Sequence, residues 1–336
     1  MNENKGDLWS QTNVLVTGGS GFIGSQVVQT LLNAGAEVSS TTFARNSEAN
    51  CMEPNRTIGQ EKVVKVDLTR LEDCKQACKN QEIVICAAHV DGSAAFKQAH
   101  PASIFQQNML MTLNMLEAVR LTDVKRMLIL SSAEVYPPDV KSPIKESESL
   151  APIPGQQNDG YALSKRMSEF SAQSYAREYG LKVAIARPNN IYGPRDHFDQ
   201  KRGRIIPVLI RKAIESRESL PIWGNGEQVR SFLYVEDLAK GLLDLVDRFP
   251  EPEPVNFGGN EEITIKQLAE LILKLMGKTA KIDLEPGKPS GPQRRVLDIS
   301  KARERLGWLP TTALKRGLQA TIQFYQESFE PNLIFE

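Results

Sequence analysis

The sequence predicts an α/β protein built on a doubly wound parallel sheet, followed by a smaller C-terminal α/β lobe. Short apolar runs alternate with amphipathic segments from Val14 to Ala186, and this alternation predicts parallel βαβ units with right-handed crossovers. The alternation becomes irregular after about Asn190, which indicates a change of architecture. The chain has 336 residues, more than a single hydrophobic core usually serves, so two closely joined units are expected.

Each element of the first half follows from its pattern of apolar residues. Runs rich in apolar and β-branched residues, which are typical of buried strands, predict strands at 14–16, 38–43, 63–66, 83–85, 127–130 and 183–186. Apolar residues at helical spacing predict helices at 22–34, 101–121 and 161–179.

The second half contains long loops and two further helix signals. Segments 137–160 and 193–203 are rich in Pro, Gly and charge, and loops of that length in a compact domain are usually functional. Thr264 and Gln267 have capping-box spacing, so a helix is expected to begin there and to end at Gly277. Ser300 is expected to cap a helix that ends near Gly307.

Charge and composition exclude several classes of function. The 41 basic and 41 acidic residues give no net charge, whereas proteins that bind nucleic acid or membrane surfaces normally carry a basic excess. No apolar run approaches the roughly 20 residues that span a bilayer, and the polar N-terminus does not resemble a signal peptide. The four cysteines have no common zinc-site spacing and the three histidines are far apart. We therefore expect a reduced, cytoplasmic protein without a metal site.

A glycine-rich turn joins the first predicted strand to the first predicted helix. Gly18, Gly21 and Gly24 recur at every third position, and Phe22 and Ile23 open the helix. Glycine permits a tight turn and lets a pyrophosphate approach the backbone N–H groups at a helix start. These residues therefore predict a Rossmann-type site for a dinucleotide.

The end of the second predicted strand bears on which dinucleotide binds. Sites for NAD usually carry Asp or Glu there to hold the ribose 2′-hydroxyl, but this chain has Thr42, with Arg45 close by. Arg45 suits a 2′-phosphate, so NADP is favoured over NAD, unless Arg45 is a plain surface charge. The residues expected beside the cofactor after the third and fourth strands are Asp67, Leu68, Ala87 and Ala88.

Tyr161 and Lys165 lie four residues apart and therefore share one face of a predicted helix. An ammonium group nearby favours the phenolate, so the pKa of Tyr161 is expected to fall from about 10 toward the working range. Such a tyrosine can take a proton from a hydroxyl as hydride leaves, or return it during reduction. Ser132 follows a predicted strand at the sheet edge where ligands bind, and can share the substrate's hydrogen bond.

Several segments together resemble one family. TGGSGFIG (17–24), SSAEVY (131–136), YALSK (161–165) and RPNNIYGPRD (187–196) occur in this order, followed by GNGEQVRSF (224–232), VEDLA (235–239) and RRVLD (294–298). In order and spacing they are similar to the extended short-chain dehydrogenases/reductases that act as nucleotide-sugar epimerases, dehydratases and ketoreductases. The resemblance covers roughly residues 14–308.

The resemblance implies further roles. Ser132, Tyr161 and Lys165 match the family's catalytic set, and Asn108 resembles an asparagine that braces the active site beside the cofactor. The residues that resemble contacts to the substrate diphosphate are Asn190, Arg230 and one of Arg294 or Arg295.

The resemblance also implies an organisation and an assembly. A dinucleotide-binding Rossmann domain is expected at 10–190, with a return to it near 232–262. A nucleotide-sugar-binding lobe is expected at 191–231 and 263–330. The predicted helices 101–121 and 161–179 are expected to pair in a homodimer.

The implied chemistry is hydride transfer at carbon 4 of a nucleotide-diphosphate sugar, but its type stays open. An epimerase is favoured, with or without proton exchange at carbon 5 through Glu134, a residue that could equally cap a helix or bind a sugar hydroxyl. The alternatives are an NADPH-dependent 4-ketoreductase, a 4,6-dehydratase, and a non-catalytic dinucleotide-sensing module. Arg204 stands where one epimerising branch carries a proton donor, and its pKa above about 12 makes it a poor one. Arg204 is therefore assigned to substrate binding. His197 is the candidate substitute donor, the alternative being a solvated loop histidine.

Overall fold

A computed structural model describes residues 8–42, 59–150, 160–199, 203–216, 218–288 and 291–329 of the chain. In chain order, its strands are β1 (Asn13–Thr17), β2 (Glu37–Thr42), β3 (Lys62–Lys65), β4 (Ile83–Cys86), β5 (Arg126–Leu130), β6 (Val183–Pro188), β7 (Ile191–Tyr192), β8 (Ser219–Trp223), β9 (Val229–Ser231), β10 (Leu233–Tyr234), β11 (Pro254–Phe257), β12 (Glu262–Thr264), β13 (Lys281–Glu285) and β14 (Arg294–Arg295).

The helices connect these strands. They are α1 (Phe22–Asn33), α2 (Leu71–Cys78), α3 (Ala94–Ala99), α4 (Pro101–Arg120), α5 (Gly160–Tyr179), α6 (Ile205–Glu215), α7 (Val235–Arg248), α8 (Ile265–Leu275), α9 (Ser300–Leu306) and α10 (Leu314–Phe329). Within the described ranges, no helix is long and apolar enough to cross a membrane.

Seven strands form one sheet in the order β11-β6-β5-β4-β1-β2-β3, and every neighbouring pair is parallel. The predicted doubly wound parallel sheet is therefore confirmed. The chain proceeds outward in one direction from β1 to β3 and in the other from β4 onward, so the order reverses between β1 and β4. A crevice at the carboxyl ends of these two strands is the usual ligand site in such sheets.

Both faces of the sheet are covered, which is why its central strands are almost continuously apolar. Alternate residues of β5 enter different cores. Leu128 packs in the core that includes residues of α1 and α7, whereas Met127 and Ile129 pack in the core that includes residues of α2, α4 and α5. The alternation fixes the register of the strand, because a shift by one residue would exchange the two faces.

The segment after β10 brings the chain back to the large sheet. α7 packs against α1, and β11 pairs with β6 at the edge of the sheet, with Val255 opposite Ala186. The predicted domain bounds of 10–190, 191–231 and 263–330 stay a prediction.

A separate core lies among α6, α8 and α10 and their short strands. It includes Ile210, Leu268, Ile272 and Leu318, all fully buried. β8 pairs with β13, and β12, β9 and β14 form a three-stranded sheet. This second group of elements carries basic residues to the edge of the larger sheet.

Two helix starts tested the capping predictions. The capping box is confirmed, because Gln267 N–H donates to Thr264 Oγ1 at 3.1 Å and Thr264 N–H donates to Gln267 Oε1 at 3.0 Å. The prediction that Ser300 caps α9 is wrong. Ser300 is the first helical residue, and its N–H donates to the carboxylate of Asp298 at 2.8 Å.

Candidate active site

The glycine turn at the end of β1 has no room for side chains. Gly18 has a φ of +68°, and a Cβ on it would lie 2.9 Å from the Cα of Ala88. A Cβ on Gly24 would lie 2.1 Å from the carbonyl oxygen of Gly18. Gly21 precedes α1, and no side chain caps that helix. The first N–H groups of α1 are thus available to an anion, and the close backbone fits a dinucleotide pyrophosphate.

The strand ends around this turn are tied together by threonine hydroxyls. The N–H of Ala88 donates to Thr17 Oγ1 at 3.1 Å, and the N–H of Gly18 donates to Thr41 Oγ1 at 3.1 Å. Ala87 is buried beside them. Three neighbouring strands, β4, β1 and β2, therefore present a fixed, small-residue surface at the predicted cofactor crevice.

The predicted adenosine end is only partly described. Thr42 is buried at the end of β2, and Arg45 lies outside the described residues. The carboxylate of Asp67 accepts hydrogen bonds from the N–H of Thr69 at 3.0 Å and from its hydroxyl at 2.6 Å. Leu68 is buried next to it. The preference for NADP over NAD stays a prediction.

Tyr161, Lys165 and Ser132 come together at the carboxyl ends of β4 and β5. The hydroxyls of Ser132 and Tyr161 share a hydrogen bond. Lys165 Nζ lies 5.6 Å from the centre of the Tyr161 ring and donates to the carbonyl of Leu130 at 2.7 Å. Asn108 braces this helix face, because its amide donates to Ser164 Oγ at 3.3 Å and to the carbonyl of Val90.

The pKa of Tyr161 moves opposite to the expectation from its lysine neighbour. Burial raises it well above 10, and the carboxylates of Asp91 and Glu134 raise it further. Burial also lowers the pKa of Lys165 to about 8. The prediction of a lowered Tyr161 pKa is therefore wrong, because burial disfavours the charged phenolate.

A cluster of four charged side chains adjoins the phenol. Lys97 Nζ donates to both carboxylate oxygens of Glu134, at 2.7 and 2.6 Å, and lies 3.7 Å from Asp91 Oδ1. Arg204 donates to the other oxygen of Asp91 at 3.2 Å. The Lys97 ammonium is 4.8 Å from the centre of the Tyr161 ring. Sequence reasoning did not assign Lys97 or Asp91 to the site; they lie 37 and 43 residues before Glu134.

Two more titratable groups, His89 and Asp196, lie near this cluster. The ring of His89 lies 6.0 Å from that of Tyr161, and burial lowers its pKa to about 4, so it is neutral near pH 7. Burial raises the pKa of Asp196 to about 6, and its Oδ2 has no hydrogen-bond partner among the described residues. His197, considered as a proton donor, follows Asp196, and its N–H donates to that carboxylate at 2.8 Å.

Arg230 and Arg295 lie side by side on β9 and β14, where they are directly paired in register. No carboxylate forms an ion pair with either of them within the described ranges. Burial lowers the pKa of each, and for Arg230 the charge of Arg295 lowers it further. The alternative Arg294 is held instead by Glu262, through two hydrogen bonds of 2.6 and 2.9 Å. The geometry favours Arg295 over Arg294 as the partner of Arg230.

Asn190 and Arg295 connect the pair of arginines to neighbouring segments. Asn190 has a φ of +47°, and its amide donates to the carbonyl of Ser231 at 3.0 Å, next to Arg230. Arg295 reaches across to residues 131–136 after β5, the predicted catalytic loop, where it donates to the carbonyl of Ala133 at 2.6 Å. The basic pair therefore adjoins the segment that carries Ser132 and Glu134.

Comparison with known proteins identifies the family. A family model described as "NAD dependent epimerase/dehydratase family" matches residues 14–258. This chain belongs to that family. The predicted resemblance is thereby confirmed, as is the prediction of an enzyme that uses NAD or NADP to modify nucleotide-linked sugars.

Relatives of this epimerase/dehydratase family member cover almost all of it. A dTDP-4-dehydro-6-deoxy-D-allose reductase from a Streptomyces species is 34% identical over 325 residues, which are 95% of this chain and 98% of the relative. A GDP-L-fucose synthase from Sinorhizobium fredii is 31% identical over 326 residues, 95% of this chain and 97% of the relative. The structure of UDP-glucose 4-epimerase from Thermotoga maritima with UDP-glucose aligns with a TM-score of 0.83 at 28% identity, covering 95% of this chain and 100% of that one.

A buried ionic network holds the catalytic loop of this family member in place. Arg187 on β6 donates to both carboxylate oxygens of Glu169 on α5, at 2.8 and 2.6 Å. It also donates to the hydroxyl of Tyr136 at 2.9 Å, and Glu169 accepts a hydrogen bond from Ser131. Ser131 and Tyr136 lie on either side of the Ser132–Glu134 segment. Sequence reasoning missed this network, which fixes both ends of that segment.

Proposed function

We propose that this protein is an NADPH-dependent 4-ketoreductase of a nucleoside-diphosphate 4-keto-6-deoxy sugar. The proposal is carried by the placement of the Tyr161 phenol against Ser132 and Lys165 in a chain that is 34% identical, over 95% of its length, to a dTDP-4-dehydro-6-deoxy-D-allose reductase. Reduction of a ketone needs a proton donor at its oxygen, whereas oxidation of an alcohol needs a base there. The phenol of Tyr161, which is hydrogen-bonded to Ser132, can supply that proton.

The reduction divides into a hydride and a proton. When bound, the reduced nicotinamide supplies the hydride to carbon 4. Ser132 and Tyr161 bind oxygen 4, and the proton of Tyr161 passes to that oxygen as the carbonyl becomes a hydroxyl. Lys165 stabilises the resulting phenolate until solvent restores the proton. Asn108 keeps the turn of α5 that carries these side chains next to the strand ends.

The remaining residues are proposed to hold the two ligands. Arg230 and Arg295 bind the diphosphate of the sugar nucleotide, because two adjacent guanidinium groups that form no ion pair with a carboxylate of the described residues suit a phosphate pair. Asn190 and Arg204 complete the substrate site. The residues proposed for the cofactor are Gly18, Gly21, Phe22, Ile23, Gly24, Thr42, Arg45, Asp67, Leu68, Ala87, Ala88, Asn108, Tyr161 and Lys165.

The substrate class is proposed from the relatives. Two relatives that span 95% of this chain, at 34% and 33% identity, are dTDP-4-dehydro-6-deoxy-D-allose reductases. We propose a dTDP-linked 4-keto-6-deoxyhexose as the substrate.

The second candidate function is 4-epimerisation, which the structural likeness to a UDP-glucose 4-epimerase favours. The same three catalytic residues can serve a transient oxidation of carbon 4.

Assembly and location are proposed as well. α4 and α5 pack together and expose large apolar side chains, of which Phe170 is 63% exposed and Leu113 39%. A homodimer that pairs these helices across a two-fold axis would cover them. We propose that the dimer resides in the cytoplasm.

The test is a pair of assays on the full chain. With NADPH and a dTDP-4-keto-6-deoxyhexose, we expect NADPH oxidation that equals the sugar reduced, and much slower oxidation with the GDP-linked analogue. In the second assay, UDP-glucose is incubated without added cofactor, and no UDP-galactose is expected. Interconversion of the UDP-sugars with no net NADPH oxidation on the keto sugar would establish the epimerase instead.

A further inference from the structure

Lys97 forms an ion pair with Glu134, whose carboxylate lies two residues after Ser132 in the chain. Its ammonium group donates to both oxygens of Glu134, and its side chain is only 12% exposed. We propose that Lys97 is a reaction-specificity residue, which prevents Glu134 from removing a proton from the carbon beside the substrate ketone. This inference rests on the proposed 4-ketoreductase function. It explains how the enzyme would reduce carbon 4 without epimerising its neighbours.

The unwanted reaction follows from ordinary carbonyl chemistry. A ketone at carbon 4 makes the hydrogens on carbons 3 and 5 acidic. If Glu134 took one of them, the carbon–hydrogen bond would break, its electron pair would form the carbon–carbon double bond of an enolate, and the negative charge would rest on oxygen 4. The proton would sit on Glu134 and exchange with solvent before returning to carbon. Ser132 and Tyr161, which polarise the ketone for hydride, would stabilise that enolate as well.

The ion pair opposes this step by occupying the carboxylate. Each oxygen of Glu134 already accepts a hydrogen bond from the ammonium group of Lys97. The bonds also fix the carboxylate on the ammonium group, which itself lies 4.8 Å from the Tyr161 ring. Asp91, the second carboxylate of the cluster, is engaged by Arg204 at 3.2 Å. Both carboxylates of the cluster, Glu134 and Asp91, are therefore paired with cations.

The position of Lys97 is set by its own short helix. The side chain of Ser93 caps α3 by accepting a hydrogen bond from the N–H of Phe96 at 3.3 Å. The ring of Phe96 stacks on that of His100, with ring centres 4.5 Å apart. These contacts hold residue 97 above the catalytic loop, although 37 residues separate Lys97 from Glu134 along the chain.

The experiment measures exchange without reduction. Full-length protein, oxidised NADP and the dTDP-4-keto sugar are combined in deuterated water, so that no hydride is available and the ketone persists. Deuterium at carbons 3 and 5 is followed by NMR or mass spectrometry against a protein-free blank. For the wild type we expect exchange at the rate of the blank. Lys97→Met and Lys97→Gln should raise it by about 100-fold, the usual contribution of a positioned base.

Three further variants separate this role from a structural one. Lys97→Arg retains a cation for Glu134 and should remain at the wild-type rate. Lys97→Met combined with Glu134→Gln removes the freed base and should return to the blank. Lys301→Met removes a comparable ion pair, with Glu253 at 2.9 Å and remote from the catalytic loop, and should also match the wild type. Thermal unfolding and NADP binding verify that each variant is folded.

The outcomes decide between the alternatives. Wild-type exchange well above the blank, unchanged exchange in both Lys97→Met and Lys97→Gln, or undiminished exchange in the double variant would each overturn the inference. A parallel incubation with NADPH distinguishes this failure from that of the proposed function. If the wild type leaves the ketone unreduced, the 4-ketoreductase proposal fails; if it reduces the ketone while the Lys97 variants do not exchange, only the role of Lys97 fails.

Discussion

The ammonium group of Lys165 donates a 2.7 Å hydrogen bond to the carbonyl of Leu130, the last residue of β5. This bond ties the first turns of α5 to the carboxyl end of a central strand. Tyr161 lies one turn earlier on α5, and Ser132 lies two residues beyond Leu130. One contact between helix and strand thus aligns the phenol with the serine hydroxyl, and it also keeps a buried ammonium group hydrogen-bonded.

We expect the rate of ketone reduction to fall in alkaline solution as Lys165 loses its proton. Burial lowers the pKa of Lys165 to about 8, so the charged form predominates below that pH and is lost above it. Because the charged form supports the phenolate left after proton transfer, kcat/KM should be level below pH 8 and fall about tenfold per pH unit above it. A profile measured with saturating NADPH checks this. A level profile well beyond pH 8 would contradict it.

Tyr161→Phe should reduce turnover by at least about 100-fold, since it removes the proton donor and nothing else. Binding of NADPH should remain close to that of the wild type, because the ring is retained. The measurements are steady-state reduction and a cofactor titration. Tyr179→Phe, near the end of the same helix and 48% exposed, is the matched control and should be fully active. Turnover within a few-fold of wild type in Tyr161→Phe would refute the proposed chemistry.

NADP should bind more tightly than NAD, because Thr42 ends β2 where NAD-binding folds usually carry a carboxylate. Arg45→Ala should remove most of this preference by weakening NADP binding alone. Titrations of both dinucleotides with wild type, Arg45→Ala and the control Arg211→Ala measure it. Arg211 is bound to Glu215 on α6, so its loss should change neither affinity. Tighter NAD binding by the wild type would show that the cofactor assignment is wrong.

Arg295→Met and Arg230→Met should each raise the KM for the sugar nucleotide by about 10- to 100-fold, the cost of one charge-assisted hydrogen bond. The kcat should change less, because the diphosphate is bound equally before and during reaction. Arg294→Met, which removes the arginine held by Glu262, is the neighbouring control and should keep the wild-type KM. Equal effects at positions 294 and 295 would argue against a specific phosphate clamp.

Phe170→Glu and Leu113→Glu should convert a dimer into monomers, because each places a charge in the apolar surface of α4 and α5. Sedimentation or light scattering measures the mass in solution. Leu309→Glu changes a comparably exposed leucine, 47% accessible and outside both helices, and should leave the mass unchanged. A wild-type monomer at micromolar concentration would disprove the proposed assembly.

Local patterns predicted much of the fold because they report local constraints. The apolar run 183–186 lies within β6, and the helical spacing of 101–121 corresponds to α4. The capping box at Thr264 was equally visible, since all its bonds join residues three apart. The Ser300 prediction failed because it rested on residue type alone. In the structure Ile299 is the N-cap residue of α9, and the N–H of Ser300 donates to the carboxylate of Asp298.

The sequence by itself determined the parallel sheet, the glycine turn and the shared helix face of Tyr161 and Lys165, because each depends on spacings of a few residues. Only the tertiary structure decided which charges surround them. Lys97 meets Glu134, and Arg187 meets Glu169, through contacts between elements that no periodicity connects. The pKa of Tyr161 rises rather than falls for the same reason, since burial and the carboxylates of Asp91 and Glu134 exist only once the chain has folded.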